Sequence, residues 1–272
     1  MADLAEQDPQ KDDEDEVDAS RAPLIEHLVE LRRRLIYSFA GFLVAFFVCY
    51  YFKEQIYGFL AAPLVKAAAA NAEQAKLIYT SLPEAFFTYI KVSMFAALMI
   101  SFPIIANQLW LFVAPGLYRK EKKALLPFLV ATPVLFLTGA SLAYYVVFPL
   151  AWKFFLSFQT VGTDNQVGIE LLPKVAEYLS LVMTLLFAFG LAFQLPVLLV
   201  LLEKVGIVTE EGLRRKRKYA IVIAFAVAAV LTPPDIISQI ALGIPILLLY
   251  EVSILAIRLT KRKRAKEKAA GN

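Results

Sequence analysis

The chain has 272 residues, of which 59% are hydrophobic and only 19% charged, and its mean hydropathy is +0.62. Soluble domains hold roughly 45–50% apolar residues, and so few polar side chains cannot cover a water-facing surface, so lipid is the expected solvent. One histidine, His27, and one cysteine, Cys49, exclude an internal disulfide and a zinc site built from Cys and His, and leave little for a Ser–His–Asp triad.

The net charge of +4 is unevenly spread. From Asp3 to Asp18 the chain carries nine carboxylates and one lysine. Such a run repels itself and has little to bury, so residues 1–22 are expected to form a disordered acidic tail. An acidic start is also the opposite of the basic region of a signal peptide, and none is expected. His27 follows among charged residues and is expected at the membrane interface.

Uncharged stretches mark the spans, because a bilayer core of about 30 Å needs roughly 20 helical residues. In chain order they are Leu35–Phe52, Val92–Tyr118, Ala124–Trp152, Tyr178–Leu202, Tyr219–Pro234 and Ile236–Ile257, the last interrupted by Glu251. Cys49 falls inside the first span and reads as a small lipid- or helix-facing residue. The fifth and sixth spans are expected to be short, joined by Thr232-Pro233-Pro234-Asp235. With about 13 residues before Thr232, the fifth reaches only about 20 Å, so the bilayer must thin there or the helix ends must dip into a hollow. Ordinary scatter in helix length is the plainer account. Residues 23–258 form the expected membrane domain, and 259–272 a basic tail.

Positive charge sets the expected orientation. Arg32–Arg34 precede the first span, Arg119, Lys120, Lys122 and Lys123 follow the second, Lys204 and Arg214–Lys218 follow the fourth, and seven basic residues follow the sixth. These alternate loops read as cytoplasmic, with both termini inside. Pro103, Pro127, Pro133, Pro149, Pro196 and Pro245 punctuate the spans and favour bends, so the fold class expected is all-α, with kinked helices curved into a concave wall. In the first outer loop Ile56–Ala72 reads as helical, broken at Pro63. With the loop from Lys153 to Glu177 it is expected to form an outer cap of short helices. No internal repeat is visible.

Four segments carry the polar residues that stand out. His27-Leu28-x-Glu30-Leu31-Arg32-x-Arg34-Leu35 has the spacing of an amphipathic helix on the inner face; inside-positive anchoring explains its arginines but not Glu30. Phe112-x-Ala114-Pro115-Gly116-Leu117-Tyr118-x-x-Glu121 places a carboxylate among four basic residues, where a local ion pair is the alternative. Gln194, before Pro196, puts an amide at mid-bilayer depth, which marks function or a helix–helix hydrogen bond. Leu231-Thr232-Pro233-Pro234-Asp235-x-x-Ser238-Gln239 offers Asp235, which serves equally as a helix cap. A phosphate-binding loop and a His-Glu-x-x-His site are both absent, so nucleotide hydrolysis and metalloprotease chemistry are not expected.

These segments, together with Phe189-Gly190-x-x-Phe193-Gln194-x-Pro196, resemble the signature segments of the TatC family, the receptor subunit of the twin-arginine protein translocase. The resemblance runs from about Pro23 to Arg258. It implies that Glu30 and Glu121 bind the twin-arginine signal peptide, and that Arg32, Pro63, Phe112, Asp235 and Gln239 occupy functionally sensitive positions. It also implies single-span partners TatA and TatB docking near the last two spans, self-association, transport driven by the proton-motive force, and neither cofactor nor enzymatic activity. The family's polar residue in the middle of span four is commonly Glu; here it is Gln194, which cannot titrate, so a hydrogen-bonding role survives and a protonation role does not. Physical chemistry agrees with the receptor reading. Carboxylates accept guanidinium bidentately, at about 1.5–3 kcal/mol for a charge-assisted bond, and lysine lacks that fork. A small-solute transporter and an intramembrane enzyme remain as alternatives, but paired discontinuous helices in repeated halves and a nucleophile–base pair are not evident.

Overall fold

The computed structural model describes residues 9–69, 76–117, 126–160, 167–204, 206–232 and 236–270, with side chains described except at 9–26, 113–117, 126–127 and 262–270. The helices in chain order are α1 (Pro9–Tyr51), α2 (Lys53–Ala69), α3 (Glu84–Leu117), α4 (Leu126–Leu142), α5 (Phe148–Leu156), α6 (Val175–Ala192), α7 (Leu195–Lys204), α8 (Glu210–Arg215), α9 (Arg217–Leu231) and α10 (Ile236–Ala270). A π-helical turn over Ala143–Val147 joins α4 to α5.

Among the described residues, five helical runs are long and apolar enough to cross a membrane: His27–Tyr51, Glu84–Phe112, Phe128–Leu156, Val175–Lys204 and Ile236–Lys261. The third joins α4, the π turn and α5, and the fourth joins α6 and α7. With α9 they account for the six expected segments. α9 has 15 residues and reaches about 22 Å, the short fifth helix that the sequence predicts. The sixth is not short. α10 continues past the apolar run to Ala270, because the Lys, Arg, Glu and Ala of the tail are all good helix formers. The acidic segment read from sequence as disordered is likewise continuous with α1 from Pro9 onward, and no glycine interrupts it before Gly41.

The exposed face of α1 is apolar, with Leu35 65%, Phe39 61% and Phe47 64% exposed. In water such a stripe would be a liability; in hydrocarbon it is the solvated face. α1 packs mainly on α3, α4 on α6, and α10 on both α7 and α9. The main core gathers Phe148, Phe189, Leu179, Leu185 and Val182, all essentially inaccessible. α4 and α6 approach so closely that a Cβ on Gly139 would stand 2.4 Å from the Phe189 carbonyl oxygen, and one on Gly190 2.5 Å from the Phe136 ring. Small residues at such a crossing let backbones meet where lipid supplies no hydrophobic drive for association. Phe136 in turn stacks on Phe102 of α3 at 3.7 Å, which ties a third helix to the pair.

Prolines act differently from place to place. At Pro196 the run breaks, with Phe193 and Gln194 forming a turn between α6 and α7. Before Pro149 the helix widens into the π turn. Pro133 and Pro245 lie inside continuous helices. Pro63 also lies within α2, so the expected break there is a correction. The reason is a substitute hydrogen bond, described below. The expected cap is helical only in part. α2 and α5 supply helices, but beyond Leu156 the described residues pair through short bridges, Thr160 with Ile169 and Ile78 with Lys174. Glu84 pins this region, accepting from the Thr80 N–H at 2.8 Å and the Ala176 N–H at 3.3 Å.

Candidate functional site

Contacts from Arg34 to Gln108, Trp110 to Phe128, Lys204 to Phe128 and Lys261 to Glu203 gather Arg32–Arg34 of α1, Lys204 of α7 and Lys261 of α10 at one basic end of the molecule. There, residues 27, 30 and 34 share one face of α1, because spacings of three and four align on a helix. They meet Gln108 and Phe112, one turn apart on α3. The His27 and Phe112 rings stack with centroids 4.2 Å apart and an interplanar angle of 15°. Arg34 donates through Nε (2.9 Å) and Nη2 (2.5 Å) to the same oxygen of Glu30, Oε1, and its Nη1 reaches Gln108 Oε1 at 3.3 Å.

Glu30 is therefore held but not used up. Its side chain is 26% exposed, and Oε2 accepts no hydrogen bond among the described residues. The pair is part-buried and held by two hydrogen bonds to one oxygen, so Arg34 fixes the orientation of the carboxylate. Arg32 is exposed and, two positions from Glu30, lies on a different face of the helix. Phe112 is half-buried. Glu121 lies outside the described residues, so its distance from Glu30 is not part of this geometry.

The mid-span amide is engaged. Gln194 Nε2 donates to the Thr132 carbonyl of α4 at 3.0 Å, and the Thr132 hydroxyl accepts from Trp110 Nε1 of α3 at 2.9 Å. One threonine thus links α3, α4 and the α6–α7 break. Gln194 also lines a largely apolar cavity of about 380 Å³ with Leu195, Leu198, Ile223, Val227 and Leu247.

At the last hairpin, Gln239 Nε2 reaches the Phe225 carbonyl of α9 at 3.4 Å, and the Gly243 position abuts the Phe225 ring. Asp235 lies outside the described residues. Glu251 pairs with Arg217 at 2.6 Å across α9 and α10. Pro63 is buried. Lacking an N–H, it cannot bond the Phe59 carbonyl four residues back; the Tyr144 hydroxyl donates to that carbonyl instead, at 2.7 Å. The Tyr178 hydroxyl donates to the neighbouring Leu60 carbonyl at 2.9 Å.

Sequence reasoning missed Gln108, Thr132, Trp110 and Tyr144. Single polar groups that serve a partner's backbone carry no pattern of their own. Spacing alone offered one signal, since Arg34 stands four residues after Glu30.

Among the described residues no group of three or more His, Cys, Asp or Glu could hold a metal. Long apolar helices that bury their few polar contacts against one another define the class as a multi-helix integral membrane protein. The sequence model of the family described as "Sec-independent protein translocase protein (TatC)" matches residues 26–245. The TatC protein of Magnetococcus marinus is 56% identical over 250 residues, covering 92% of this chain and 89% of the relative. That of Rickettsia prowazekii is 49% identical over 230 residues, covering 85% and 90%. That of Escherichia coli K12 is 41% identical over 232 residues, covering 85% and 86%. A crystal structure of the twin-arginine translocase receptor TatC superposes with a TM-score of 0.72 at 40% identity, covering 86% of this chain and 99% of that one. The chain belongs to the TatC family of Sec-independent protein translocase components, which are membrane transport proteins and not enzymes.

Proposed function

We propose that this chain is the receptor and core subunit of a twin-arginine translocase, and that Glu30 receives the arginine pair of a folded cargo's signal peptide. The observation that carries the reading is the Glu30 carboxylate, oriented by Arg34 through one oxygen and open at the other. A guanidinium docking on Oε2 gains a charge-assisted bond that a lysine makes only as a point charge. Glu121 supplies the second carboxylate. Arg32 and Phe112 border the site, with Phe112 and its stacked His27 as an apolar floor for the residues beside the arginines.

In this reading the basic end is cytoplasmic and both termini lie inside, as the concentration of Lys and Arg there favours. The protein resides in the cytoplasmic membrane of a bacterium, or its equivalent. Residues 1–22 and 259–272 are extensions of the membrane domain at 23–258. Gln194, Asp235 and Gln239 are polar contacts for partner or cargo helices, Pro63 shapes the opposite end, and single-span TatA and TatB dock near α9 and α10. The cavity beside Gln194 supports a docking role there. Copies of the chain associate within the complex, and transport draws on the proton-motive force.

Complementation of an export-defective strain tests the reading. The wild-type gene restores export of cargo with an Arg-Arg signal and not of the same cargo with Lys-Lys, and Glu30→Gln reduces the Arg-Arg export. Restoration by Glu30→Gln to the wild-type level removes Glu30 from the site.

A further inference from the structure

At the end opposite the basic one, α2 and α5 enclose a notch of about 330 Å³ lined by Pro63, Lys66, Tyr145, Pro149 and Lys153, with Tyr144 at its back. Both lysines and Tyr145 are exposed, no carboxylate lines the notch, and neither lysine has an ion pair among the described residues. Tyr144 and Tyr145 also line a second, larger cavity of about 460 Å³, whose walls include Phe59, Phe95, Met99, Leu137 and Ser141. The two spaces therefore meet at the tyrosine pair. The π turn that carries both residues puts one extra residue into the helix at that junction. A cationic notch and an apolar cleft between α2, α3 and α4 thus adjoin on either side of Tyr144 and Tyr145.

We propose that these adjoining spaces bind one anionic glycerophospholipid of the outer leaflet, its phosphate between Lys66 and Lys153 and an acyl chain passing over Tyr145 into the cleft. The charge argues for this occupant. Positive side chains are disfavoured on the outer side, yet two line one notch with no acid among its described lining residues, and ammonium groups bind phosphate as compact point charges. The shape agrees, since a headgroup alone leaves the cleft empty and a hydrocarbon alone leaves two cations unmatched. The choice of leaflet rests on the orientation proposed above; labelling of Lys153→Cys from each side of the membrane tests that separately from lipid binding.

The test is native mass spectrometry of the full chain in mild detergent with equal amounts of phosphatidylglycerol and phosphatidylcholine. The wild type is expected to retain phosphatidylglycerol at least tenfold over phosphatidylcholine. Lys66→Gln with Lys153→Gln brings the ratio to about one, while Lys66→Arg with Lys153→Arg and the control Lys76→Gln, at an exposed lysine that lines neither space, keep it. Ser141→Phe, which fills the cleft from an exposed position, lowers retention of both lipids. Displacement of the lipid by glycerol 3-phosphate at the same concentration identifies a soluble-anion site and overturns the proposal. Equal retention of the two lipids by the wild type, or an unchanged ratio in the double glutamine variant, also overturns it.

Discussion

The Tyr144 hydroxyl donates to the Phe59 carbonyl at 2.7 Å, and that carbonyl is free because Pro63 stands four residues after it. Tyr144 therefore replaces a backbone donor that proline lacks, and this is why α2 stays continuous through Pro63. Tyr144→Phe leaves a part-buried carbonyl unpaired and is expected to cost about 0.5–1.5 kcal/mol, the net worth of a typical hydrogen bond. In a Pro63→Ala background the alanine N–H serves the same oxygen, so the cost of Tyr144→Phe should shrink by at least about 0.5 kcal/mol. Thermal unfolding of the four proteins in detergent measures the coupling; strictly additive losses would show that the two residues do not share this carbonyl.

The α4–α6 crossing depends on the absence of two side chains. A methyl group on Gly139 meets backbone of Phe189, which cannot step aside as a side-chain tip can. Gly139→Ala is expected to destabilise by about 1–3 kcal/mol, the range for overpacking. Gly58→Ala, where a Cβ meets nothing within 4 Å, should be neutral or raise stability by up to about 1 kcal/mol through helix propensity. Melting temperatures that rank the two in the opposite order contradict the packing described.

Gln194 bonds the Thr132 carbonyl from the break between two half-helices. Gln194→Leu removes that bond at nearly constant volume, and interhelical bonds within membranes are typically worth about 0.6 kcal/mol and at most about 1.7. A modest fall in stability is expected, with a larger fall in co-purification of the single-span partners if the neighbouring cavity is their docking place. Unaltered co-purification places the partners elsewhere.

Much of this fold is legible in the sequence because hydrocarbon demands long uncharged runs, and such runs are few and clear. The short α9 follows from the spacing between Lys218 and Thr232. Helix continuation is less legible. The tail after Ile257 is charged, and charge ends a membrane span without ending a helix, so α10 runs on to Ala270. Pro63 reads as a break because its partner Tyr144, 81 residues later, has no local signature. At the site, Glu30 stood out as a carboxylate among arginines, but the sharing of Oε1 with Arg34 and the link to Gln108 depend on how α1 sits against α3, which periodicity leaves open.

The most direct test of the central claim is equilibrium binding of a fluorescent twin-arginine signal peptide to the purified full chain, wild type against Glu30→Gln, with a Lys-Lys peptide beside it. A charge-assisted contact of about 1.5–3 kcal/mol corresponds to roughly a 10- to 150-fold change in Kd. The account predicts that Glu30→Gln weakens the Arg-Arg peptide by at least tenfold and narrows its advantage over Lys-Lys. Wild-type affinity in Glu30→Gln, with the preference for arginine intact, would contradict it.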